Sequence, residues 1–299
     1  MALAGQGYEH FQLVDHPGIN PNSALARKRW QTYLVGMKLC IPFLNTTPLV
    51  NVIRLQGSIG TGSRSLSDAS MAPLIERAFA KGKPAAVALV INSPGGSPVQ
   101  SSLIAARIRR LADEKNVRVH AFVEDMAASG GYWLACAGDD IWVDPSSLVG
   151  SIGVIFASFG FPELMARQGI ERRVVTAGRS KSFADPFLPQ KPEDIDRLKA
   201  IQTPIHEAFI AHVKSRRGAR LADTDLFNAD IWVGQQSVDV GLADGTGHLV
   251  PKLKQLYGNK VRMAVHGQRR SLLSRFGLNL AEETLATIEE RAAWAQHGL

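Results

Sequence analysis

The apolar and polar positions of the chain alternate between strand-like and helix-like runs. Pro48 to Leu55 reads as a strand and Gly57-Ser-Ile-Gly as the turn that ends it. Asp68 can cap a helix that runs to about Ala80, with Pro73 delaying its start. Pro84 to Ile91 is an unbroken apolar run, the pattern of a strand buried on both faces of a parallel sheet. Asn92-Ser-Pro-Gly-Gly ends it, and a helix with the stripe Ile104, Ile108, Leu111 follows to about Lys115. Val117 to Val123 is the next strand. The small-residue turn Met126-Ala-Ala-Ser-Gly-Gly then leads into a short helix, Tyr132 to Ala137. Further on come a strand at Ile141–Val143, a helix around Pro162–Gln168 and a strand at Arg172–Thr176. Pro192 opens a long helix to about Arg216, which Pro204 should kink. A smaller α/β region ends near Val265, and Asn279 can cap a final amphipathic helix carrying Leu285 and Ile288. Repeated strand–helix alternation predicts an α/β fold, a mostly parallel sheet with helices on both sides. Residues 1–45, with turn formers and little periodicity, read as an N-terminal extension, 46–265 as the folded domain, and 266–299 as a basic segment ending in the amphipathic helix.

Composition narrows the function classes. With 299 residues, 45% apolar and 20% charged, the chain is long enough for a large core and is not of the disordered type. Two cysteines, Cys40 and Cys136, exclude a disulfide scaffold and a four-cysteine zinc site, and fit a reducing compartment. Cys136 reads as a buried small apolar residue. The longest N-terminal apolar stretch, Tyr33 to Leu44, is interrupted by Lys38 and Pro42 and lacks the layout of a signal peptide, which predicts a chain that is soluble or at most peripheral to a membrane. The formal charge of +7 is not uniform: Asp68 to Val250 holds 20 basic against 21 acidic residues, while 16–67 and 251–277 contain no acid. Basic flanks next to apolar residues such as Leu272, Leu273 and Phe276 fit an anionic membrane surface at least as well as nucleic acid, and no nucleic-acid partner is expected.

Common catalytic signatures are missing: no His-Glu-x-x-His, no phosphate loop, no Gly-x-Gly-x-x-Gly and no Cys-x-x-Cys. The eight histidines are scattered and read as surface or satisfied core residues, so no metal site and no cofactor is expected. Two strand-end loops stand out instead. In Ile91-Asn-Ser-Pro-Gly-Gly-Ser97 the glycines free backbone amides beside a buried strand, as an oxyanion hole requires. In Ala127-Ala-Ser-Gly-Gly-Tyr132, Ser129 sits at a strand-to-helix turn resembling a nucleophile elbow, with the Gly130 amide as a second donor. A serine without a histidine base needs another, and Lys181, in the turn-rich segment Thr176–Phe187, is the candidate. To act as a base near neutral pH a lysine must be held neutral, at roughly 4–5 kcal/mol, which an apolar pocket can supply. Phe183 and Phe187 are candidate walls for it.

Taken in order, Val52–Gly60, Asn92–Gly96, Ala127–Tyr132, Leu148–Val154 and Thr176–Phe187 resemble the signal peptide peptidase A-type serine proteases, peptidase family S49, over about Pro48 to Gly247. The resemblance implies a fold similar to Clp proteases and crotonases, built of repeated β-β-α units. It also implies a Ser-Lys dyad of Ser129 and Lys181, Ser151 hydrogen-bonded to the lysine, and oxyanion amides at Gly96 and Gly130. It further implies extended apolar peptide substrates, such as signal-peptide remnants or damaged membrane-associated proteins. Homo-oligomeric rings or domes are implied, in which single-domain members share each dyad between neighbouring subunits. The expected location is cytoplasmic, with peripheral contact at the inner face of a bacterial membrane in place of the anchor many members carry. A catalytically silent oligomeric scaffold and a crotonase-like acyl-CoA enzyme are the rival readings; the second would place acidic side chains near its thioester.

Overall fold

The structure, a computed structural model, describes residues 47–62, 65–178, 181–267 and 294–295. The expected N-terminal extension, Cys40, and the helix starting at Asn279 lie outside the described residues.

The first three strands are β1 (Leu49–Gln56), β2 (Ala86–Ser93) and β3 (Arg118–Ala128). Shorter ones follow: β4 (Asp140–Val143), β5 (Leu148–Gly150), β6 (Ile231–Val233), β7 (Gly245–Thr246) and β8 (Arg262–His266). They form one sheet in the order β6-β5-β3-β2-β1-β8, with β4 also against β3 and β7 against β4. Each pairing is parallel except β5 with β6. The mostly parallel α/β sheet expected from the alternation is present. β2 shows why its sequence is continuously apolar. Val87, Leu89 and Ile91 enter one apolar cluster while Ala86, Ala88 and Val90 enter another on the opposite face. The larger cluster is closed by helices α1 (Asp68–Ala80), α2 (Pro98–Lys115), α3 (Gly130–Ala135) and the long helix described below.

Local departures from the expected elements have physical reasons. Ser67, not Asp68, caps α1: its hydroxyl accepts from the Ser70 amide, and the Ser70 hydroxyl accepts from the Ser67 amide, a reciprocal capping box. Met126 to Ala128 are not turn but the last rungs of β3, because Ala127 pairs with Ser93 on one side and Val149 on the other. The expected strand at Arg172–Thr176 does not form. No described strand lies beside it to complete a ladder, and Arg172 and Arg173 pair with Asp185 and Glu171 instead. After α4 (Pro162–Arg167) comes α5 (Pro192–Arg217), a 26-residue helix that continues through Pro204. The smaller C-terminal region supplies α6 (Gln235–Asp239) and α7 (Leu249–Tyr257), whose Leu253 seals the second face.

The C-terminal end of α5 is fixed by a buried cation. Arg217, 3% exposed, donates Nε to the Gly241 carbonyl at 2.9 Å and pairs through Nη1 with Asp244 at 2.7 Å. Asp244 in turn accepts from the Ile141 amide at 2.8 Å, joining α5 to β4. Arg217→Leu removes the bonds to Gly241 and Asp244 while Asp244 keeps Arg220 at 3.2 Å, so it should lower unfolding free energy by about 2 kcal/mol. Urea titration measures this, and a loss under about 1 kcal/mol would show that the pair does not secure the helix.

Candidate active site

β3 is the strand on which the site is built. Over His120–Val123 it pairs with β4, and over Met126–Ala128 with β5, so its last residue ends between β2 and β5. The chain then turns at Ser129, whose φ of 50° and ψ of −121° are unusual for a residue with a side chain. Such a backbone costs of order 1–3 kcal/mol and persists only where the surroundings hold it. Here the Ser129 amide donates to Gly150 O at 2.9 Å, and its carbonyl accepts from the Tyr132 and Trp133 amides at 2.9 and 3.1 Å. The side chain caps nothing in α3, and Ser129 lines a small cavity.

The Asn92–Ser97 loop lies beside it. Ile59 N donates to Gly95 O at 2.8 Å and Ser97 N to Ile59 O at 2.8 Å. Those two bonds turn the intervening Gly96 amide away from Ile59. Gly96 has φ +138°, and a Cβ on it would run into the Ile59 carbonyl, so only glycine fits. A Cβ on Gly95 would lie 2.7 Å from Gly130 N, and one on Gly130 3.4 Å from Gly96 N, so the two amides are neighbours. Among the described residues no acceptor meets either amide. Ser151 is brought alongside by the Ala128–Gly150 register. It too has positive φ, 52°, and its amide donates to Asp230 O at 2.8 Å.

Ser129, Gly96 and Gly130 line one small cavity with Pro98, Trp133, Gly153, Val154, Ile205 and Phe209. Three of the five expected site residues line this cavity, and a fourth, Ser151, follows Gly150, the register partner of Ala128. The fifth, Lys181, stands on an exposed turn and is not part of this lining within one protomer. Its expected aromatic walls are engaged elsewhere: Phe187 stacks on Phe161 at 5.7 Å under the Arg172 guanidinium, and Phe183 lies under Arg197.

The α5 residues were missed by motif reasoning. The only signal for them was the Ile205, Phe209, Val213 stripe at helical spacing, which is also what a plain core helix shows. Two α5 histidines tie this helix to the site. His206 donates Nε2 to Ile152 O at 3.0 Å, and His212 donates Nε2 to Trp133 O at 3.2 Å. With His120, bonded to Asp140 and Tyr257, they are satisfied structural histidines. Cys136 is buried, which pushes its thiol up to about 12. Among the described residues, no three His, Cys, Asp or Glu side chains gather as a metal site would need.

Burial holds the His212 pKa below its ordinary value, aided by nearby Arg216 and opposed by the bond to Trp133. Its folded form thus binds fewer protons than the unfolded chain. Stability should fall as pH drops below about 6.5, and stop falling on this account once pH is below the folded value. His266, also depressed by burial, acts in the same direction. Chemical denaturation between pH 7.5 and 5 should show the decline, and His212→Phe should reduce its slope. An unchanged slope would assign it to other groups.

Comparisons with known proteins give the following similarities. The model of Peptidase family S49 matches residues 111–257. The match covers just under half of the chain and includes Ser129, Ser151 and Lys181. A Brucella melitensis protein named Na(+)/H(+) antiporter NhaA is 47% identical over 302 residues, covering 93% of this chain and 41% of that protein. The chloroplastic serine protease SPPA of Arabidopsis thaliana is 26% identical over 246 residues, covering 79% of this chain and 36% of that protein. The chain thus spans about two-fifths of the length of these S49-region relatives. A solved structure titled 1510-N membrane-bound stomatin-specific protease superposes with a TM-score of 0.46 at 14% identity, covering 75% of this chain and 99% of that one.

Proposed function

We propose that this chain is a serine endopeptidase of the S49 type that uses a Ser129–Lys181 dyad on extended apolar peptides. The observation that carries the reading is the strained Ser129, with its unengaged hydroxyl, beside the paired free amides of Gly96 and Gly130 in one cavity. In the proposed reaction the unprotonated Lys181 amine takes the Ser129 Oγ proton as Oγ bonds to a peptide carbonyl carbon. The Gly96 and Gly130 amides hold the resulting oxyanion, and Ser151 orients the lysine. Collapse breaks the C–N bond, and the leaving amine takes the proton from Lys181. A water then attacks the acyl-enzyme, giving its proton to Lys181, which returns it to Ser129 as the acid product leaves.

In this reading Lys181 comes from a neighbouring copy in a homo-oligomer. That is supported by its exposure in the single protomer and by the apolar side chains exposed nearby, including Ile155, Phe159 and Val175. The cavity lining contains no acidic residue, which disfavours the crotonase-like alternative. The intact nucleophile loop disfavours the silent scaffold. The antiporter name of the Brucella relative is not carried over: among the described residues no helix is long and apolar enough to cross a membrane. Cytoplasmic residence with contact at a membrane surface rests on basic flanks that mostly lie outside the described residues. A fluorophosphonate probe should modify Ser129, read by peptide mass spectrometry, in protein that cleaves an apolar fluorogenic peptide. Neither modification nor cleavage by assembled protein would sink the proposal.

A further inference from the structure

The cavity beside Ser129 is small in a way its glycines do not require. Its far wall is aromatic and aliphatic: Trp133 from α3, Ile205 and Phe209 from α5, and Val154. The space left between these side chains is about 10 Å³, room for one water-sized group. By contrast, two hollows elsewhere on the surface hold about 680 and 650 Å³. The wall is also rigid. Trp133 stacks with Phe209 at 4.9 Å and with His212 at 4.8 Å. Phe209 is 3% exposed, and α5 is bonded through His206 and His212 to the backbone of both serine-bearing loops. A side chain that needed more room would have to break this stack, and close-packed interiors resist that.

An acyl group held at Ser129 beside the Gly96 and Gly130 amides abuts the lining that those residues share with Trp133, Ile205 and Phe209. We propose that Trp133, Ile205 and Phe209 set a size limit on the residue that precedes the cleaved bond, admitting alanine, serine or glycine and excluding leucine and phenylalanine. The inference rests on the serine-peptidase reading and goes beyond it by naming the residue class at the cut.

The test uses the whole chain in its native assembly with matched peptides that differ only at the residue before the cut: Ala, Ser, Val, Leu or Phe. Wild type should cleave the alanine peptide at least about 30-fold more efficiently than the leucine peptide, the scale expected when bulk is excluded from a pocket. Ile205→Ala and, independently, Phe209→Leu should raise the leucine-to-alanine ratio about tenfold. A ratio within one assay is insensitive to how much of a variant folds. Equal cleavage of leucine and alanine peptides by wild type overturns the size limit while leaving the peptidase reading standing. A ratio unmoved in both variants removes the role of the α5 wall. Cleavage of no peptide, with Ser129 unmodified by a fluorophosphonate, ends the peptidase reading and the size limit with it.

Discussion

Ser129→Ala is expected to abolish peptide cleavage, lowering kcat/KM by at least about 10⁴-fold while leaving assembly and stability intact. The two halves of this expectation have separate causes. In the proposed mechanism the hydroxyl forms the acyl-enzyme, and removing a nucleophile leaves only the modest rate assistance of the amides and the binding surface. The backbone at Ser129 is held by its own amide and carbonyl, bonded to Gly150, Tyr132 and Trp133, none of which needs Oγ. Alanine therefore bears the same strain as serine, and denaturation midpoints should agree within about 0.5 kcal/mol. A variant that keeps a tenth of wild-type turnover would show that the nucleophile lies elsewhere.

Lys181→Met should be as inactive as Ser129→Ala, and for a reason that can be isolated. Methionine keeps the length of the stem and removes the amine. If each site takes Ser129 from one subunit and Lys181 from its neighbour, either dead variant is inactive alone. Co-assembled at equal amounts after denaturation and refolding, they form intact pairings at about a quarter of the sites, as random placement in a symmetric ring gives. Activity near a quarter of wild type, in particles whose mass is that of the wild-type oligomer by light scattering, is the expected result. Mixed oligomers, proven by differential tagging, that remain inactive would place serine and lysine in the same subunit or remove the lysine from the chemistry.

The sequence showed some parts of this molecule more readily than others. β2 was legible because its stretch Ala86–Ile91, buried on both faces, has no polar position to confuse the reading. The two loops were legible because Gly96 and Ser129 sit where a chain must bend sharply and stay uncovered, which only small residues allow. Arg172–Thr176 misled because local β-branched character says nothing about whether a partner strand is near. The role of Ile205 and Phe209 stayed hidden for a related reason. An apolar helix stripe looks the same whether it faces ordinary core or a reacting carbonyl, and the difference lies in contacts some 75 residues distant in sequence, at Trp133. Lys181 was found by its place in a motif, but the burial expected from Phe183 and Phe187 involves those rings' neighbours, Arg197 and Arg172, which spacing did not reveal.

The clamp of Ile59 on Gly95 and Ser97 has a consequence for where this enzyme can be cut. The S49-matched stretch starts at residue 111, so it contains Ser129, Ser151 and Lys181 but neither Gly96 nor the β1–Ile59 segment that orients it. A fragment trimmed to that stretch would carry the nucleophile and one amide while lacking β1, β2 and the second amide. Loss of one such donor alone costs about 10²–10³ in rate. If the Gly96 and Gly130 amides hold the oxyanion as proposed, the smallest catalytic unit begins upstream of β1, near residue 47, and one of the two donors is supplied by the chain's earlier portion rather than by its most recognisable one.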